Sequence, residues 1–150
     1  MPKPSALGMC ADILVAIDGS AAGVRAVRHA IARLKSGYDG TIHLLHVQPP
    51  FKSGEVSALV TAEMSQEARR REAEHAVNEA REVLVGALVP HKVLVVTGAV
   101  ADTIVNQAAG LGCGEIVMGT RGLGAVGNLV LGSVAARVVR LSSVPVTLVK

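Results

Sequence analysis

Glycine punctuates one stretch of this chain, Gly119-Thr120-Arg121-Gly122-Leu123-Gly124-Ala125-Val126-Gly127-Asn128-Leu129-Val130-Leu131-Gly132-Ser133. Glycine lets a backbone take positive φ and approach a ligand with no Cβ in the way. A helix beginning at Ser133 would aim unpaired N–H groups and a partial positive charge at an anion, a geometry that suits phosphate. Ser133 adds a hydroxyl donor and Arg121 a cation. After Glu115 the chain carries no acidic residue, whereas Arg121, Arg137, Arg140 and Lys150 all lie there, so this quarter is locally cationic.

Three motifs overlap in the stretch. Gly122-Leu-Gly124-Ala-Val-Gly127 is a literal GxGxxG, the fingerprint of an NAD- or FAD-dependent oxidoreductase. That motif needs a helix opening inside it and an acid about 20 residues further on, and none follows. Gly122 and Gly127 also have P-loop separation, but Asn128-Leu129 stands where Lys-Ser/Thr must reach the β- and γ-phosphates. The third pattern, Gly119-x2-Gly122-x9-Gly132-Ser133, has four fixed positions and two intervals, and is far more specific.

The elements that must position this stretch read as alternating strands and helices. Residues 12–17 form an apolar run too short for a helix, which predicts a strand buried on both faces. Asp18-Gly19-Ser20 breaks it, and Ser20 can cap a helix with Val24, Val27, Ile31 and Leu34 inward and Gly37 as its stop. Residues 41–47 predict a second strand ended by Pro49 and Pro50. A long charged helix follows over 63–88, with Met64, Ala68, Val77, Ala80 and Leu84 inward and Glu72, Arg81 and Glu82 outward. A strand over 92–97, a turn at Gly98 and a helix over 102–109 with an acidic first turn come next. A strand over 115–118, the glycine loop, a helix over 133–141 and a strand over 145–149 complete the chain. Such alternation predicts an α/β fold, one mostly parallel sheet with helices on both faces. Ligands in these sheets bind outside the carboxyl ends of the strands, where the strand order reverses, so the loops at Asp18, Val47, Gly98 and Gly119 are the candidates.

The third motif resembles the signature of ATP-binding universal stress proteins. Ile13-Leu-Val-Ala-Ile-Asp18-Gly-Ser20, Leu44-Leu-His-Val47, Gly98 with Ile104, and Val144-Pro-Val-Thr-Leu-Val149 resemble the same family, so the likeness spans residues 12–150, with 1–11 as an N-terminal tail. The resemblance implies a Rossmann-like open five-stranded parallel sheet, order 3-2-1-4-5, of the adenine nucleotide alpha-hydrolase type. It implies that Ala16, Ile17 and Asp18 line an adenine pocket with Val47. It further implies that Met118 and Gly119 approach the ribose and phosphates, and that Gly122, Gly132, Ser133 and Val134 cradle the phosphates, with Arg121 beside them. ATP is the implied ligand, with Mg2+ or Mn2+ held by the phosphates, and a homodimer through residues 144–149 is the implied assembly. No Glu, Gln or His lies within the loop to orient a water, so slow or absent hydrolysis and a regulatory switch in the stress response are expected. A dimeric interaction module without nucleotide remains an alternative, as does the oxidoreductase.

Composition narrows the classes further. The chain has 150 residues, about one domain, and half are apolar. Aromatics make up only 1%, with Tyr38, Phe51 and no Trp, so there is no platform on which single-stranded nucleic acid bases could stack. With no ring available, aliphatic side chains such as Ile17 and Val47 must hold a base. The net charge of +3 lacks the clusters of a DNA binder. Two cysteines, Cys10 and Cys113, without metal spacing predict a reduced, cytoplasmic protein, and no apolar run is long enough for a membrane span. Cys113 is expected to be buried. His43 and His46, three apart on a strand, face opposite sides and cannot share a metal.

Overall fold

The computed structural model describes residues 12–51, 62–122 and 131–150. The tail over 1–11 with Cys10, and Gly124, Gly127 and Asn128 of the glycine loop, lie outside the described residues. The elements run β1 (Ile13–Ile17), α1 (Ala21–Lys35), β2 (Ile42–Gln48), α2 (Ala62–Ala87), β3 (His91–Thr97), α3 (Val100–Gly110), β4 (Glu115–Gly119), α4 (Ser133–Leu141) and β5 (Val146–Val149). All strand pairs are parallel, and the sheet order is β3-β2-β1-β4-β5, as the resemblance implies.

The continuous apolar runs follow from burial on both faces. On one face Ile13, Val15, Ile17, Ile42, Leu44 and Val117 pack with Val27 and Ile31 of α1 and Val77 and Leu84 of α2. On the other, Leu14, Ala16, Leu45, Ile116 and Met118 pack with Ile104 of α3 and Val138 of α4. The edge strands β3 and β5 are only partly buried.

Local chemistry sets the helix ends. Ser20 caps α1, its Oγ accepting from Gly23 N at 3.3 Å, and Gly37 (φ +103°) follows the C-cap as the expected stop. α3 opens at Val100, two residues before the expected start, because its N-cap Ala99 carries no side-chain acceptor to signal it. Asp102 still occupies its first turn. An added Cβ on Gly98 would meet Thr103 Oγ1 at 2.4 Å, so any other residue at the turn entering α3 would have to displace the Thr103 hydroxyl.

The inner face of α2 needs correction. Met64 and Ala68 are exposed, and the buried stripe starts at Ala73 and continues through Ala76, Val77, Ala80 and Leu84. With 26 residues α2 is about 39 Å long. A seven-residue strand spans only about 23 Å. The first turns of α2 therefore overhang the sheet.

Polar groups close the amino-terminal edge of the sheet. The Glu115 carboxylate, 5% exposed, pairs with Arg33 of α1 at 2.8 Å and accepts from the Thr147 hydroxyl of β5. His43 is buried on the α3/α4 side and His46 lies on the opposite one, as their spacing requires. His43 Nε2 donates to Asp12 Oδ2 at 2.9 Å, and this bond holds the Asp12 carboxyl below its ordinary range. Cys113 is buried, as expected. Among the described residues no helix is long and apolar enough to cross a membrane.

Candidate functional site

The strand order reverses between β1 and β4, whose Ala16 and Met118 are register partners. A crevice of about 540 Å³ opens there, above the carboxyl ends of β1, β2 and β4. Ala16, Ile17, Asp18, Val47, Met118, Gly119, Arg121, Gly122, Gly132, Ser133 and Val134, every site residue read from the sequence, line it.

Backbone contacts shape its walls. Gly19 takes φ +89°, which turns the chain sharply after β1. Asp18 Oδ1 accepts from Ser20 N at 2.9 Å and fixes that turn, while Oδ2 faces the backbone of Gly122. A Cβ on Gly122 would lie 2.1 Å from Oδ2, and one on Gly119 would lie 2.7 Å from the Ala22 Cβ. The two ends of the loop are tied together where Gly132 N donates to Thr120 O at 2.7 Å. Thr120 N is held in turn by Val149 O of β5 at 2.9 Å. Gly132 is the N-cap of α4 and offers no side-chain acceptor, so the first-turn N–H groups have no capping side chain. Such a turn attracts anions.

One side of the crevice is aliphatic, formed by Ala16, Val47, Val100, Ile104 and Met118, and among the described residues no Phe, Tyr or Trp lines it. The other side carries two residues not among the site residues read from the sequence. His46 is buried, 8% exposed, and also borders the crevice. Its Nδ1 lies 3.1 Å from Ile17 O; a carbonyl can only accept, so Nδ1 carries the proton and a neutral ring leaves Nε2 as an acceptor. Glu72, read as an outward residue of α2, also borders the crevice. The cationic quarter of the sequence therefore faces carboxylates from other elements, Asp18 and Glu72. Arg137 is likewise engaged, holding Asp102 of α3 by two contacts of 3.1 Å. Among the described residues no three His, Cys, Asp or Glu side chains gather into a metal-binding group.

An open parallel sheet with a glycine-walled crevice at its switch point, facing a helix N-terminus, defines a class of α/β proteins that hold small ligands above their strands. The Universal stress protein family matches residues 9–150, so the chain belongs to that family. A universal stress protein of Thermus aquaticus is 35% identical over 144 residues, covering 95% of this chain and all of that one. The solved structure of the hypothetical protein MJ0577 superposes with a TM-score of 0.78 at 28% identity, covering 95% of this chain and 97% of that one. A universal stress protein in complex with cAMP superposes with a TM-score of 0.69 at 25% identity, covering 95% of this chain and 99% of that one.

Proposed function

We propose that this protein binds ATP in the crevice between β1 and β4 and acts as a nucleotide-dependent switch with slow or no hydrolysis. One observation carries the reading: a single crevice joins an aliphatic slot for a base to the glycine backbone of the loop ends and the uncapped N-terminus of α4. The slot suits an adenine held by Ala16, Ile17 and Val47, with Asp18 at its rim. Gly122, Gly132, Ser133 and Val134 suit the phosphates. The structure bound to cAMP supports an adenine nucleotide as the ligand class.

Asp18 and Glu72 place negative charge beside a polyanion, which favours a divalent ion, Mg2+ or Mn2+, riding on the phosphates. His46 could orient a water, yet it stands on the α1/α2 face of the sheet, while Ser133 belongs to α4 on the opposite face. Turnover well below about 1 per second follows. The partly buried β5 edge suits a homodimer through residues 144–149.

Denaturing the purified protein and identifying the released nucleotide by chromatography tests the reading. ATP supports it. NAD or FAD would establish the oxidoreductase instead, although α4 begins at Ser133, beyond the end of the GxGxxG motif at Gly127. A protein that neither carries nor takes up nucleotide would be the interaction module.

A further inference from the structure

Among the described residues another large concavity lies on the α1/α2 face, between α2 and the edge strand β3, and shares no lining residue with the crevice. It measures about 480 Å³. Its apolar surface includes Val95, 49% exposed, and Phe51, 46% exposed. Arg69, Arg70 and Arg81 of α2 border it, with Glu74 as the acidic residue among them.

The ladder between β2 and β3 shows which groups of β3 face outward. Ile42 N donates to Pro90 O at 3.0 Å, and Gly98 N donates to Gln48 O at 2.9 Å. Bonding alternates along each strand of a parallel pair. With Ile42 opposite His91, it follows that Lys92, Leu94 and Val96 turn their peptide groups to β2. His91, Val93, Val95 and Thr97 turn theirs to the open edge, where no described strand meets them. The side chains of Val95 and Thr97 also line the groove, so a strand added at this edge would place alternate side chains in it.

Charge selects the chemistry of that strand. Arg70 is held by Glu67 at 2.9 Å and Glu74 at 2.7 Å. Arg69 lies with its guanidinium 4.1 Å from the Phe51 ring centroid and donates to Pro49 O. Arg81 contacts Asn78 Oδ1 at 3.4 Å. Among the described residues neither Arg69 nor Arg81 has a carboxylate partner. Twelve residues apart on α2, they stand about 18 Å from each other along its axis. Same-face side chains six residues apart on an extended strand are about 20 Å apart.

We propose that the β3 edge is a docking site for an extended segment of a partner protein, which adds as a sixth strand with apolar side chains over Val95 and acidic side chains at both ends of the groove.

Anisotropy of a fluorescein-labelled peptide, Ser-Glu-Thr-Val-Thr-Val-Thr-Glu-Ser with blocked ends, tests this against the same peptide with lysine for glutamate. The wild-type protein is expected to bind the glutamate peptide at least about tenfold more tightly than the lysine peptide. Val95→Pro removes an outward N–H without touching the β2 ladder, and should weaken binding by at least about tenfold. Arg81→Glu should weaken it by a similar factor while the far-UV spectrum stays that of the wild type, and it decides the matter if Val95→Pro does not fold. Equal affinity for the two peptides, or wild-type affinity in Arg81→Glu, would overturn the proposal. So would self-association that Val95→Pro abolishes while neither peptide binds, since the occupant would then be a second copy of this chain.

Discussion

The carboxylate of Asp18 and the backbone of Gly122 close on each other across the switch point, so tightly that a Cβ on Gly122 would sit 2.1 Å from Asp18 Oδ2. The same carboxylate holds the turn at Ser20 through its other oxygen. Asp18 therefore couples the end of β1 to the start of the glycine loop. A side chain at 122 must push the loop away or turn the carboxylate.

Gly122→Ala is accordingly expected to weaken ATP binding by at least about tenfold, because displaced loop donors lose their aim at the phosphates. Calorimetric titration measures the affinity. Circular dichroism should show an unchanged fold, since Gly122 is exposed. Wild-type affinity in the variant would detach the loop from the ligand.

Much of this site was legible in the chain, and the misses have a common physical cause. Short, mostly apolar runs at 13–17, 42–47 and 116–118, each bounded by turn signals, fit strands covered on both faces, and the glycine spacing marked the loop that meets them. Glu72 and His46 were missed as crevice residues because a helix overhanging the sheet and a side chain on its far face are tertiary facts. Neither leaves a local pattern. Ala99 hid the start of α3 for the converse reason, since an N-cap without a side-chain acceptor leaves no signal in the sequence.

The corrected inner face of α2 separates two apolar residues of one helix. Leu84 is fully buried, whereas Met64 is 60% exposed. Leu84→Ala should cost about 3 kcal/mol, by lost burial and the cavity left behind. Met64→Ala should change stability by less than about 0.5 kcal/mol. Urea denaturation of the two variants measures both, and similar losses would return Met64 to the core.

Gly86 lies near the end of α2, and a Cβ there would meet nothing within 4 Å. Gly86→Ala should stabilise the protein by about 0.5 kcal/mol, because alanine restricts the unfolded chain more than glycine does. A thermal melt should show a rise of about 1 to 2 °C. A fall would mean that the end of α2 is packed more closely.

The His43 hydrogen bond, and to a smaller extent those from Thr41 N and the nearby charges, hold the Asp12 carboxyl below its ordinary value of 3.8, against a smaller opposing effect of burial. A carboxyl whose folded pKa is depressed adds stability above the unfolded value, and that stability is lost as pH falls through the folded one. Asp12→Asn should therefore lower stability near neutral pH and flatten its decline below about pH 4. Urea midpoints from pH 3 to 6 measure the slope. A variant as acid-sensitive as the wild type would remove Asp12 from the account.

Titration of nucleotide-free protein with Mg-ATP, followed by calorimetry alongside Gly122→Val, tests the central claim most directly. One ATP per chain is predicted for the wild type, with loss of at least about tenfold in affinity for the variant. Absence of binding to the wild type, or equal binding by both proteins, would contradict it.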